Sequence, residues 1–293
     1  MHAAERLRPP ALLLFAVTVW VPSCRCASDG SASSVPNAIW STSNPLQVAD
    51  ESLPDADYVA LGVPAHGQHW SSEDMREALV HLHRLAATRP MALPRSASVR
   101  SGKVFARITS AETLTVLHDP SMPISIRLPA ALAYTHELNG IYDLYVSALR
   151  SKTVTGSDLV ELHAARLHVC QTLLELAEEF LPTLATSDPR YQSRIAGIDA
   201  MQSGTTDAML AALAALADPL DYGLPARKRL VTTCRATFPP MARRLKVAKR
   251  DTLLQELRTT AASPNLANLQ PELGSVLDEV AHAVATAPDR TAL

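Results

Sequence analysis

From residue 128 to 288 the apolar residues recur at intervals of three and four, and no stretch shows the period of two that a strand requires. Ala131, Tyr134, Leu138, Ile141, Tyr145 and Ala148 form one stripe. Ser157 stands where a cap would start a second helix, faced by Leu159, Leu162, Val169, Cys170, Leu173, Ala177 and Phe180. Asp188-Pro189 reads as a cap and first-turn proline for a third, with Ile195, Ile198, Met201, Met209, Leu213 and Leu216 on its face. A fourth carries Leu230, Val231, Cys234 and Phe238 until Pro239-Pro240, where proline geometry predicts a break near Thr237 and a restart at Pro240. Two shorter helices are expected at residues 251–260 and 271–285. Short connections make successive helices antiparallel neighbours, so the prediction is a mainly α fold: an antiparallel bundle of about five to seven helices.

Residues 58–127 give mixed signals. Ser71-Ser72-Glu73-Asp74 places capping and first-turn acidic residues before Met75, Leu79, Leu82 and Leu85, with Pro90 as a stop. Residues 103–109 (KVFARIT) alternate through Val104, Ala106 and Ile108, and residues 122–127 follow two prolines, which leaves room for a short β pair. The expected organisation is therefore a leader at 1–23, a tether at 24–57, a mixed segment at 58–127 and the helical bundle at 128–288.

Composition excludes several classes. Apolar residues make up 47% and charged residues 19% of 293, with a formal net charge of −2, unlike a disordered chain. Four cysteines in this length are too sparse for a disulfide framework. The single long apolar run, residues 11–21 (ALLLFAVTVWV), spans about 16 Å as a helix, half of a ~30 Å hydrocarbon core. Preceded by Arg6 and Arg8 and bracketed by Pro9, Pro10 and Pro22, it has the form of a secretory signal rather than a buried helix.

The run exits through Val21-Pro22-Ser23-Cys24. This resembles the lipobox of bacterial lipoproteins, with an apolar residue at −3 and a small one at −1 before the cysteine; Pro22 departs from the pattern. The resemblance covers residues 1–24 only and implies that Cys24 becomes the acylated first residue of the mature chain. The rival is ordinary leader cleavage with Cys26 and Ser28 at −3 and −1. Residues 27–57 are rich in Ser, Ala, Pro, Asn and Asp and lack periodicity. As a flexible coil they would reach roughly 30 Å, enough to hold a domain off lipid headgroups. The expected location is the cell envelope, membrane-anchored on the periplasmic side or at the outer membrane, otherwise secreted.

Four groups of residues are candidates for chemistry. His66, His69 and Glu73 are the histidines and carboxylate that could converge on a metal, although their spacing matches no zinc-protease motif and a set of surface histidines is the simpler account. Cys170 and Cys234 fall on apolar stripes and read as a disulfide or as buried thiols. Residues 227–250 hold Arg227, Lys228, Arg229, Arg235, Arg243, Arg244, Lys246, Lys249 and Arg250 without one acidic residue. Such a run suits an anionic envelope partner, or is a solvated face paired with Glu161, Glu175, Glu178 and Glu179. Nucleic acid is disfavoured by export and because the one aromatic there, Phe238, falls on the apolar stripe. Finally, Tyr134, Tyr142 and Tyr145 near His136 could line a ligand groove, or edge the core.

No GxSxG, GxGxxG or Walker-type loop occurs, and no cofactor is expected. The leading expectation is a lipid-anchored interaction, assembly or binding module with an unidentified protein or anionic partner, not an enzyme. The alternative is a hydrolase built on His66, His69 and Glu73, with or without metal.

Overall fold

The computed structural model describes residues 71–98 and 101–287. Among them the chain is all-α, with eight α-helices and no strand. These are α1 (Ser72–Thr88), α2 (Gly102–Ile108), α3 (Ile124–Arg150), α4 (Gly156–Phe180), α5 (Tyr191–Ala217), α6 (Leu224–Ala242), α7 (Val247–Ala261) and α8 (Gln270–Ala285), with a 3-10 segment at Ala111–His118 between α2 and α3.

Helix α4 is the axis of the fold. It packs against α3 on one side and α5 and α6 on others, while α1 covers α3, and α7 and α8 close the far side against α5 and α6. Its burial explains why: Leu159, Leu162, Leu167, Val169, Leu173 and Leu176 are all in the core, on more than one face. A helix apolar on several faces has to sit inside a bundle. Residues from α1 and α2 (Met75, Leu82, Phe105) belong to the same apolar cluster as those of α4 and α8, so one core serves the described chain.

Local sequence sets the helix starts. Ser71 and Asp74 form a reciprocal capping box on α1, as the cap residues suggest. For α4 the box uses Thr155 and Asp158, so the cap lies two residues before the expected Ser157. Asp158 is nearly fully buried, and its carboxylate accepts from the Thr155 N–H (2.9 Å) and hydroxyl (2.8 Å) and from the Ser96 N–H (2.7 Å) and hydroxyl (2.8 Å). One cap thus also ties the 93–98 segment to α4. Asp188 does not cap α5; it accepts from the Arg190 N–H in a turn, and the helix starts at Tyr191.

Two further expectations are corrected. Residues 103–108 lie in helix α2, capped by Thr109, and not in a strand: Val104, Phe105 and Ile108 are buried at helical spacing, while Ala106 is exposed. Residues 122–127 run into the start of α3. The stripes of α3, α4 and α6 fall as expected, with Ala131, Tyr134, Leu138, Ile141 and Tyr145 all buried.

The second correction is at Pro239-Pro240, where α6 does not break but continues to Ala242. The apolar stripe wins over the prolines. Phe238, Met241, Ala242 and Leu245 are fully buried, and each large side chain contributes roughly 1.5–3 kcal/mol on burial. The two prolines deprive the carbonyls of Arg235 and Ala236 of their i+4 donors, but both residues are exposed, so those acceptors need not be buried unpaired. We expect Pro239→Ala with Pro240→Ala to stabilise the fold by about 1–2 kcal/mol, restoring two helix bonds less the freedom returned to the unfolded chain. Urea unfolding checks this; a destabilised double variant would mean that the helix end is shaped around the prolines.

Candidate functional site

The polar groups of the described residues gather in three places. The first is a cleft of about 210 Å³ between the 3-10 segment Ala111–His118 and α4. Ala111, Leu114, Thr115 and His118 form one wall, and His168, Gln171, Thr172 and Glu175 the other. The α4 residues lie at i, i+3, i+4 and i+7, one polar face on a helix otherwise committed to the core. The Thr172 hydroxyl is 3.3 Å from His118 Nε2, and His118 Nδ1 is 4.0 Å from Glu175 Oε2. Gln171 Nε2 donates to Glu175 Oε1 at 3.0 Å, and Arg244 approaches the same oxygen at 3.7 Å. Burial holds His168 below the usual histidine range, so its ring is neutral near pH 7.

The second is a buried aromatic–histidine cluster. His163 is 1% exposed, with the Tyr142 hydroxyl 3.3 Å from its Nε2, the Tyr142 ring edge-on at 5.0 Å and the Tyr222 ring at 6.3 Å. Arg166 stacks over Tyr142 at 3.9 Å and donates from Nε to Asn139 at 2.8 Å. Burial, reinforced by the Arg166 charge, pushes His163 down to about 3. Of the expected tyrosine group, Tyr142 meets a histidine, and that is His163 rather than the exposed His136. Tyr134 and Tyr145 are fully buried, and Tyr145 donates to the Pro94 carbonyl at 2.8 Å.

The third is the basic run, which the fold disperses. Arg227 and Arg250 are buried and donate to the carbonyls of Leu216 (3.4 Å) and Arg243 (2.9 Å), near the C-termini of α5 and α6. Arginines there satisfy orphan carbonyls and complement the helix dipole. Arg229 pairs with Glu161 at 2.7 Å, Arg235 with Glu279 at 2.6 Å, Arg244 with Glu178 at 2.9 Å, and Lys246 with Asp199. Gln202, itself buried, accepts from the Lys246 N–H at 3.0 Å and donates to the Arg244 carbonyl, pinning the turn between α6 and α7. Lys228, Arg243 and Lys249 show neither an ion pair nor a hydrogen bond from the side chain among the described residues.

The remaining candidates fall as follows. Cys170 and Cys234 are both buried free thiols, not a disulfide, and burial pushes both thiols up. Glu73 is exposed in the first turn of α1 and pairs with Arg76, while His66, His69 and Cys24 lie outside the described residues. Among the described residues no three His, Cys, Asp or Glu side chains are grouped to hold a metal, and no helix is long and apolar enough to cross a membrane. A larger cleft of about 340 Å³ beside Met91, Arg95 and Ser101 ends on Asp158, whose carboxylate already accepts four hydrogen bonds as a helix cap.

The α4 cleft is what a reading of the sequence misses. Its α4 half leaves a signal, a polar face at helical spacing; its other half does not, because His118 lies 54 residues before Thr172. Comparison of the chain with protein-family models, with curated proteins and with solved structures finds no match.

Proposed function

We propose that this is an exported protein held on an envelope membrane through an acylated Cys24, and that its helical unit serves there as an interaction or assembly module. One observation carries the reading: a basic start, a short apolar run and Val21-Pro22-Ser23-Cys24 stand directly before a polar, aperiodic segment. Residues 27–57 bear Asp29, Asp50, Glu51, Asp55 and Asp57 and no Lys or Arg, so an anionic membrane surface repels them and the unit stands clear of it. Lys228, Arg243 and Lys249 then remain for an anionic partner, a smaller surface than the full run of nine cations promises.

Acyl chains contribute about 0.8 kcal/mol per buried CH₂, so two or more make release from the membrane negligible. Cys24→Ser is expected to move the protein into the soluble fraction or leave it unprocessed. A Cys24→Ser protein that stays on the membrane at the mature mass would overturn the reading.

A further inference from the structure

We propose that the α4 cleft is an acyl-ester hydrolysis site in which Thr172 is the nucleophile, His118 its base and Glu175 the group that positions the imidazole. This goes beyond the tethered-module reading and does not depend on it. It uses none of His66, His69 and Glu73.

The assignment rests on which atom meets which. A hydroxyl is a weak nucleophile until a base within hydrogen-bond reach takes its proton and a third group fixes that base's tautomer. Here the Thr172 hydroxyl stands at Nε2 of His118, at 3.3 Å, and the Glu175 carboxylate stands on the Nδ1 side, at 4.0 Å. A carboxylate at Nδ1 favours the tautomer that leaves Nε2 free to accept, and such contacts tighten when substrate excludes water. Glu175 is itself fixed through its other oxygen by Gln171 and Arg244, leaving Oε2 for the imidazole. Thr172 is buried yet lines the cleft, so its hydroxyl is reached only from that side.

The cleft's size and lining bound the substrate. About 210 Å³ is the share of roughly seven water molecules, and Leu114 and Ala111 make one side apolar. That suits an acyl group of a few carbons. The ring N–H of neutral His168, one turn before Thr172 on the same face, is a donor available to the oxygen that gains charge.

The chemistry balances with water as the only co-reactant. Thr172 Oγ1 bonds to the acyl carbon while His118 Nε2 takes the hydroxyl proton. The carbon–oxygen bond to the alcohol breaks, and that proton leaves on the alcohol. Water then attacks the acyl-threonine, giving its proton to His118, and Thr172 leaves with it as the carboxylic acid is released. Ester and water become acid and alcohol, and the protein returns unchanged.

The test uses the purified full chain with p-nitrophenyl acetate and butyrate, and a fluorophosphonate followed by peptide mass mapping. The expected results are hydrolysis above the rate of free imidazole and phosphonylation at Thr172. Thr172→Val and His118→Gln should each lower kcat/KM by roughly 100-fold or more. Thr172→Ser, which keeps the hydroxyl, should keep both hydrolysis and the label, so a fold lost in Thr172→Val does not shield the proposal. Glu175 acts through His118, so Glu175→Gln should lower kcat with KM unchanged, and Glu175→Asp should recover part of it. Hydrolysis that persists in Thr172→Val would be surface imidazole chemistry and would overturn the proposal. So would a label on any residue but Thr172, or no hydrolysis above free imidazole.

Discussion

Lowering the pH from 7 towards 3 is expected to cost this fold on the order of 4 kcal/mol through His163 alone. The ring is buried among Tyr142, Tyr222 and Arg166, where desolvation first and the Arg166 charge second disfavour the imidazolium. Its pKa falls from 6.5 to about 3 on folding. Between those values the unfolded chain holds a proton that the folded one does not. Stability therefore rises with pH across that window: the penalty is absent above about 6.5, grows as pH falls, and is complete below about 3. Asp143, at the surface beside Arg166, works weakly the other way, since partial desolvation raises its pKa and protonation favours the folded state. Urea unfolding at pH 7.5 and pH 4.5 should show wild type losing about 2–3 kcal/mol more than His163→Asn. Equal losses in the two proteins would assign the acid sensitivity elsewhere.

The second large effect is expected at Gly156. A Cβ there would stand 2.2 Å from the Asp221 carbonyl oxygen and 3.0 Å from the Tyr222 Cα. These are backbone atoms, so relief means moving either the turn before α6 or the first turn of α4. The first turn is held by the Thr155–Asp158 capping box, and the turn before α6 carries Tyr222 to its place beside His163. Overpacking of this kind costs about 3 kcal/mol, roughly 6–12 °C in Tm for a unit of this size. Gly204 is the control: it lies mid-helix in α5 with nothing within 4 Å of an added Cβ. Gly204→Ala should raise stability by up to about 1 kcal/mol. Thermal melts of the two variants check the pair; a tolerated Gly156→Ala would mean that α4 and the 218–223 turn do not approach as closely as described.

What the sequence reveals here follows from the range of each interaction. Helix stripes and the start of α1 at Ser71 depend on neighbours three and four residues apart, and these read correctly. Residues 103–109 mislead because Val104, Ala106 and Ile108 satisfy a period of two, while the burial of Phe105 beside Val104 and Ile108 becomes evident only in three dimensions. At Pro239-Pro240 local proline geometry is overruled by tertiary burial of Phe238, Met241 and Leu245. The basic run looks like a patch because its partners are distant in sequence: Glu161 lies on α4, Asp199 on α5 and Glu279 on α8. The cleft is hidden for the same reason, since Thr172 and His118 come from different elements.

The measurement that bears most directly on the tethered-module account is the intact mass of the protein purified from membranes of cells that make it in full. The account predicts a chain that begins at Cys24, lacks residues 1–23, and carries the added mass of its acyl groups on that cysteine. A chain that begins at Asp29 without acyl mass, or one that still carries Met1, would contradict it.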